Sequence, residues 1–248
     1  MTIRKLTPRK GFTLIELLTV ITIIGILAAI LIPTIGNVID VARRSSASAN
    51  ARTIAQTYVS YSTGGSTPRT IATPGMATGS AANGVAANIE DVAFIFSKFN
   101  GLNTASLWFI STDEQLNGQK VPPSVIVGDP QAATTVAPEF AKTTPKAWAF
   151  VTGLSTSAPS STTPLLWTYG LQHNGSWVVG SPWKGKGGHI GFLDGHVDWV
   201  EKLSTDAGGE SFVIYQTNQG NGNPTLDYIE AVNSHATHPA IVVNAEGK

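Results

Sequence analysis

Residues 12–35 read FTLIELLTVITIIGILAAILIPTI, 24 residues with one ionisable side chain, Glu16. A helix rises about 1.5 Å per residue, so this run can span the roughly 30 Å hydrocarbon core of a bilayer. A secretory signal peptide has only about 7–15 apolar residues before a small-residue cut, and this run overshoots that length. Arg4, Lys5, Arg9 and Lys10 precede it, against Arg43 and Arg44 soon after. The excess of basic residues on the N-terminal side predicts a cytoplasmic N-terminus, with everything beyond about residue 36 outside.

Glu16 is the anomaly in this segment. A carboxylate in a bilayer costs at least about 2.5 kcal/mol and persists where it has a partner or a task. No cation lies within the run. An α-amino group freed by a cut just before Phe12 would supply one, in the same chain or a neighbouring one. On that reading Glu16 is a docking group for subunit addition. The plain alternative is a single-pass anchor with an incidental Glu.

Lys10-Gly11-Phe12-Thr13-Leu14-Ile15-Glu16-Leu17 resembles the cleavage and methylation motif of type IV prepilins and type II secretion pseudopilins. The likeness covers the short basic leader, Gly before the cut, Phe as first mature residue, Glu at the fifth mature position and the apolar helix. It implies a prepilin peptidase that cuts between Gly11 and Phe12 on the cytoplasmic face and then N-methylates Phe12. It also implies an inner-membrane assembly platform with its ATPase, and polymerisation with copies of the same chain or with other pilins or pseudopilins. Gly25 lowers helix stability and Pro33 removes a helix hydrogen bond, so a local irregularity between them fits the same pattern. Gly25 and Ala29 also form a small-residue pair suited to close helix packing.

Beyond Ile35 the apolar positions Val38, Ala42, Ala49, Ile54, Tyr58 and Tyr61 keep helical spacing with gaps, which predicts a helix to about Tyr61 with one face on a head. Residues 62–88 read as a loop. A short helix follows, capped by Asn88, with Ile89, Val92, Phe96 and Phe99 at helical spacing and Gly101 beyond its end. Short apolar runs at Trp108–Ile110, Val125–Val127, Ala147–Val151, Leu165–Tyr169, Trp177–Val179 and Phe212–Gln216 predict a small antiparallel sheet. The expected fold is therefore α+β and pilin-like, a long N-terminal helix packed on a sheet-bearing head. Its expected division is a leader (1–11), a membrane and assembly helix (12–35), a helical spine (36–61) and a head (62–248).

The densest polar stretch is GKGGHIGFLDGHVDW, residues 185–199. It lacks the spacing of a phosphate-binding loop. His189, Asp194, His196 and Asp198 offer imidazole and carboxylate donors of the kind that hold zinc or another divalent ion. No cofactor is called for, and calcium or another divalent ion has no support beyond that donor set. The structural reading is a hairpin, with Asp194-Gly195 as a type I′ turn between strands at Ile190–Leu193 and His196–Val200. Phe192, Val197 and Trp199 would pack it. The stretch also resembles the C-terminal His…Asp-Gly motif of bacterial pilin-like proteins, although their usual spacing is nine residues and here four separate His189 from Asp194.

Composition narrows the function classes. There is no cysteine, so neither a disulfide framework nor a thiolate metal site exists. Charged residues make up 13%, and the 16 basic and 16 acidic residues balance. Removing residues 1–11 leaves 12 basic against 16 acidic, about −4, which argues against nucleic-acid binding. No acid–base constellation for an enzyme is visible. Two functions follow: a structural subunit of a type II secretion pseudopilus or type IV pilus-like fibre, or a low-copy tip pilin acting as an adhesin or cargo-binding module. The second would use Trp108, Trp148, Trp167, Trp177, Trp183 and Trp199 as a stacking platform. The lack of a cysteine pair, which many pilus subunits use to close a C-terminal loop, leans toward the pseudopilus.

Overall fold

The computed structural model describes residues 11–65, 69–72, 84–154, 158–206, 209–214, 222–233 and 236–243. Packing divides the chain into two units, Met1–Arg44 and Ser45–Lys248, and the division falls inside helix α1, Leu14–Thr63. Helix assignment continues through Gly25 and Pro33, so the irregularity expected there does not interrupt α1. The basic leader residues Arg4, Lys5, Arg9 and Lys10 lie outside the described residues.

In the second unit, α1 buries Ala47, Ala51, Ile54, Ala55, Tyr58 and Tyr61. These positions recur every three or four residues and make one continuous stripe. Helix α2, Ile89–Asn100, begins with a capping box. Asn88 Oδ1 accepts from the Asp91 N–H, and Asp91 Oδ2 accepts from the Asn88 N–H. Together they satisfy donors that a helix start leaves open. Gly101 ends the helix in the left-handed region at φ 72°, with its N–H on the Phe96 carbonyl. Ile89, Val92 and Phe96 are buried as their spacing predicts, whereas Phe99 is 43% exposed.

The main sheet has the order β4-β3-β2-β1-β7, every neighbouring pair antiparallel. Its strands are β1 (Trp148–Leu154), β2 (Pro164–Thr168), β3 (Gly188–Phe192), β4 (Val197–Val200) and β7 (Ala236–Val243). The predicted α+β arrangement is therefore present. A two-stranded sheet pairs β5 (Phe212–Ile214) with β6 (Asn223–Thr225), and the described residues also include two short helices, α3 (Pro138–Lys142) and α4 (Tyr228–Asn233), and two 3-10 turns.

Every residue of β1 and β2 is buried, because both faces of the sheet are covered. Phe150 stands opposite Leu166 and meets Tyr58 of α1 and Phe96 of α2, with ring centroids 5.8 Å away in each case. The neighbouring pair Ala149–Trp167 faces the other side, where Trp167 meets Tyr228 of α4 at 4.8 Å and Phe212 of β5 at 6.5 Å. At the start of β3, Gly188 leaves room for the Trp177 indole, which would lie 2.5 Å from a Cβ built there.

Three expected strands are absent. Trp108 ends a 3-10 turn, Ala105–Trp108. The main chain of Ile126 is served on both sides by the Asn103 amide, which accepts from its N–H at 2.7 Å and donates to its carbonyl at 2.9 Å. Trp177 forms only an isolated bridge to Leu171.

Asp113, 4% exposed, lies between two surface loops. Its Oδ1 accepts from the Gln115 N–H and its Oδ2 from the Tyr169 hydroxyl, which also lies 3.0 Å from the Gly180 carbonyl. Burial raises the Asp113 pKa above the ordinary carboxylate value. The folded state then holds its proton more tightly than the unfolded state, so stability falls as pH rises through the raised pKa. Asn at this site can keep both contacts, its amide donating to the Tyr169 oxygen while Tyr169 donates to Gly180. Asp113→Asn is expected to be neutral or stabilising near pH 7 and less favourable near pH 4. Urea unfolding of both proteins across that range measures the difference.

Candidate functional site

In the first unit, Gly11, Phe12 and Thr13 precede the helix and are exposed. Nothing lies within 4 Å of where a Gly11 Cβ would be. Helix α1 then starts with a second capping box. The Thr13 N–H and hydroxyl both donate to Glu16 Oε2, at 2.9 and 2.7 Å, and the Glu16 N–H returns to Thr13 Oγ1 at 3.3 Å. The apolar run holds no cation for this carboxylate, and its local partner is a polar residue three positions earlier. The Thr-x-x-Glu pattern before an apolar run was the available signal.

Every large apolar side chain from Phe12 to Ile35 is exposed, from 47% at Val20 to 81% at Leu14. The most apolar stretch, Leu14–Ile32, has 19 residues, a length of about 28 Å. By length and composition it is sufficient to cross the hydrocarbon of a bilayer. The Thr19 and Thr22 hydroxyls donate to the carbonyls of Glu16 and Leu18, so neither is left unsatisfied in that setting.

Residues 6–32 match the family model described as the prokaryotic N-terminal methylation motif. The chain thus carries a prokaryotic N-terminal methylation motif over the start of α1. Neither a curated protein nor a solved structure matches it.

The His…Asp-Gly stretch forms the β3–β4 hairpin. Its turn is not type I′, which needs a positive φ at both central residues. Gly195 has φ 88°, but Asp194 is not in the positive-φ region. The Gly195 N–H bonds the Phe192 carbonyl and the Phe192 N–H bonds the His196 carbonyl, both at 3.0 Å. These bonds define a three-residue loop with its left-handed position on Gly195. Asp194 Oδ1 accepts from the His196 N–H, fixing the turn from the side chain.

The four candidate metal ligands do not converge. His189 pairs with Trp199 across β3–β4 and Ile190 pairs with Asp198, so His189 and Asp198 face opposite sides of the sheet. His189 is 2% exposed, with ring centroids at 5.0 Å from Trp199, 5.6 Å from Trp183 and 6.4 Å from Trp148. His196 has Asp194 at Nδ1 and Asp198, 3.5 Å away, at Nε2. The two carboxylates thus approach opposite edges of one ring. Among the described residues no group of three or more His, Asp or Glu could hold a metal ion.

The tryptophan platform also fails to form. Trp108, Trp148, Trp167, Trp177 and Trp183 are buried, and Trp199 is half-buried against Trp183 and His189. Burial in the core is the ordinary fate of large aromatic surface, and here it leaves no row of rings for a sugar.

Proposed function

We propose that this chain is a type IV pilin-like or pseudopilin precursor and a structural fibre subunit, cut between Gly11 and Phe12, N-methylated on Phe12 and polymerised through its N-terminal helix. The leader is then 1–11, the membrane and assembly helix 12–35, the spine 36–61 and the head 62–248. The head lies outside the cytoplasm, and an inner-membrane platform with its ATPase extracts the helix from the bilayer. The observation that carries this reading is the exposed apolar helix with one carboxylate, Glu16, near its start. Burial of that apolar surface among neighbouring helices supplies cohesion. Pairing of Glu16 with the Phe12 amine sets the register.

Copies of the same chain, or other pilins and pseudopilins, are the partners. The chain has no cysteine to close a C-terminal loop, which favours a type II secretion pseudopilus over a type IV pilus. Long fibres on the cell surface that vanish on deleting the gene would reverse that preference. Mass spectrometry of the native N-terminus tests the central claim. The expected chain begins at N-methylated Phe12; an intact Met1 on protein recovered from fibres would refute it.

A further inference from the structure

Asparagine followed by glycine is open to loss of its side-chain amide, because a residue with no Cβ adopts any φ and leaves its nitrogen accessible to the neighbouring carboxamide. Five such pairs occur in the sequence, and three lie wholly within the described residues: Asn100-Gly101, Asn117-Gly118 and Asn174-Gly175. Two of the three are held shut. The Gly101 N–H ends α2 on the Phe96 carbonyl, and Asn100 Nδ2 lies 3.4 Å from Ser60 Oγ. The Gly175 N–H donates to the Gln172 carbonyl at 3.0 Å, while Asn174 Oδ1 accepts from the N–H and hydroxyl of Ser176.

Asn117-Gly118 differs on each count. Asn117 is exposed just after the 3-10 turn Glu114–Leu116. Among the described residues, no hydrogen bond engages its side chain, its carbonyl or the Gly118 N–H. Both residues line an open cavity of about 550 Å³, and nothing lies within 4 Å of where a Gly118 Cβ would be. With Asn117 at ψ 125° the Gly118 nitrogen is rotated away from Cβ, so attack on Cγ requires the peptide plane between them to turn. Turning it breaks no hydrogen bond here and breaks one at each of the other two pairs.

We propose that Asn117 is a site of spontaneous conversion to aspartate and isoaspartate through a cyclic imide with Gly118. The Gly118 nitrogen gives its proton to water and bonds to Asn117 Cγ; the Cγ–Nδ2 bond breaks and Nδ2 leaves as ammonia. Water then adds to either imide carbonyl and opens the ring. The product carries one more negative charge beside Glu114. Its β-linked form also lengthens the main chain by one methylene two residues before Gln119, whose side-chain amide holds both the carbonyl and the N–H of Thr144. This chemistry is independent of whether the chain polymerises.

The test incubates the full-length chain in detergent and mildly alkaline buffer, folded or in guanidinium chloride, and follows each Asn by tandem mass spectrometry after digestion in acid. In the folded chain Asn117 is expected to convert about tenfold or more faster than Asn100 and Asn174, the scale of opening one hydrogen bond. In guanidinium chloride the three are expected to converge. Gly118→Ala, checked for native tryptophan fluorescence, is expected to slow Asn117 and leave Asn174 unchanged. Conversion of Asn117 no faster than the other two in the folded chain would overturn the proposal. So would a lead that persists in guanidinium chloride, which would assign the difference to local sequence, or an unchanged Asn117 rate in folded Gly118→Ala, which would exclude the imide.

Discussion

Lys146→Ala is expected to be among the most damaging single changes in the second unit, lowering stability by about 3 kcal/mol. Lys146 is 1% exposed, yet its Nζ is 2.7 Å from Glu90 Oε1 and 2.8 Å from the Thr143 carbonyl. The Phe140 and Phe109 ring centroids lie 4.8 and 5.7 Å from it. Glu90 sits in the first turn of α2, so the ammonium ties that helix start to the chain entering β1. Alanine would strand a carboxylate and a carbonyl and leave a cavity between two rings. Lys146→Met keeps the apolar stem, so it is expected to cost clearly less. Urea unfolding of the detergent-solubilised chain, followed by tryptophan fluorescence, ranks the two. Equal losses would show that the charge, not the filled volume, carries the site.

Lys146 also marks where sequence reading reached its limit. In the run Thr144-Pro145-Lys146-Ala147-Trp148 a lysine reads as a solvated residue at a strand's edge, because its partner lies 56 positions away. What was legible had local causes. The capping residues of α2, Gly101 beyond it, and the apolar runs that became β1 and β2 each follow from neighbours in sequence. Strand β7 carries a comparable apolar run, Ala240–Val243, but its place in the sheet is fixed by pairing with β1, as in Phe150 with Val243. Val125–Val127 failed the opposite way, since apolar residues predict a strand only if another strand takes their main chain. There the Asn103 side chain serves it.

The proposed N-terminal site rests on spacing, not on local bonding. Gly11, Phe12 and Glu16 stood out by spacing, whereas Thr13 looked like an incidental polar residue. A charge in an apolar run calls for an opposite charge, yet a neutral hydrogen-bond donor three residues before it serves the same carboxylate. In the hairpin, Asp194-Gly195 correctly predicted a turn, but the left-handed requirement falls on Gly195 alone, which chose the longer loop.

Glu16→Gln is expected to leave the membrane precursor intact and abolish nearly all fibre. Glutamine keeps the length of glutamate and can fill the same place in a capping box, so α1 should still start at Leu14. Membrane insertion should be as good or better, because the cost of a carboxylate in the bilayer, about 2.5 kcal/mol or more, is removed. What disappears is the charge that, on the proposed reading, meets the Phe12 ammonium. At about 4 Å and an effective dielectric of about 20 that attraction is roughly 4 kcal/mol, and losing even part of it weakens addition by about a hundredfold. The second unit should be unaffected, because its buried stripe on α1 begins at Ala47, far along the helix from Glu16. The measurement is the ratio of sheared fibre to membrane-bound chain, with unfolding of the second unit as the control. Undiminished fibre from Glu16→Gln would mean that helix burial alone fixes the register, and that the lone carboxylate serves the start of the helix and nothing beyond it.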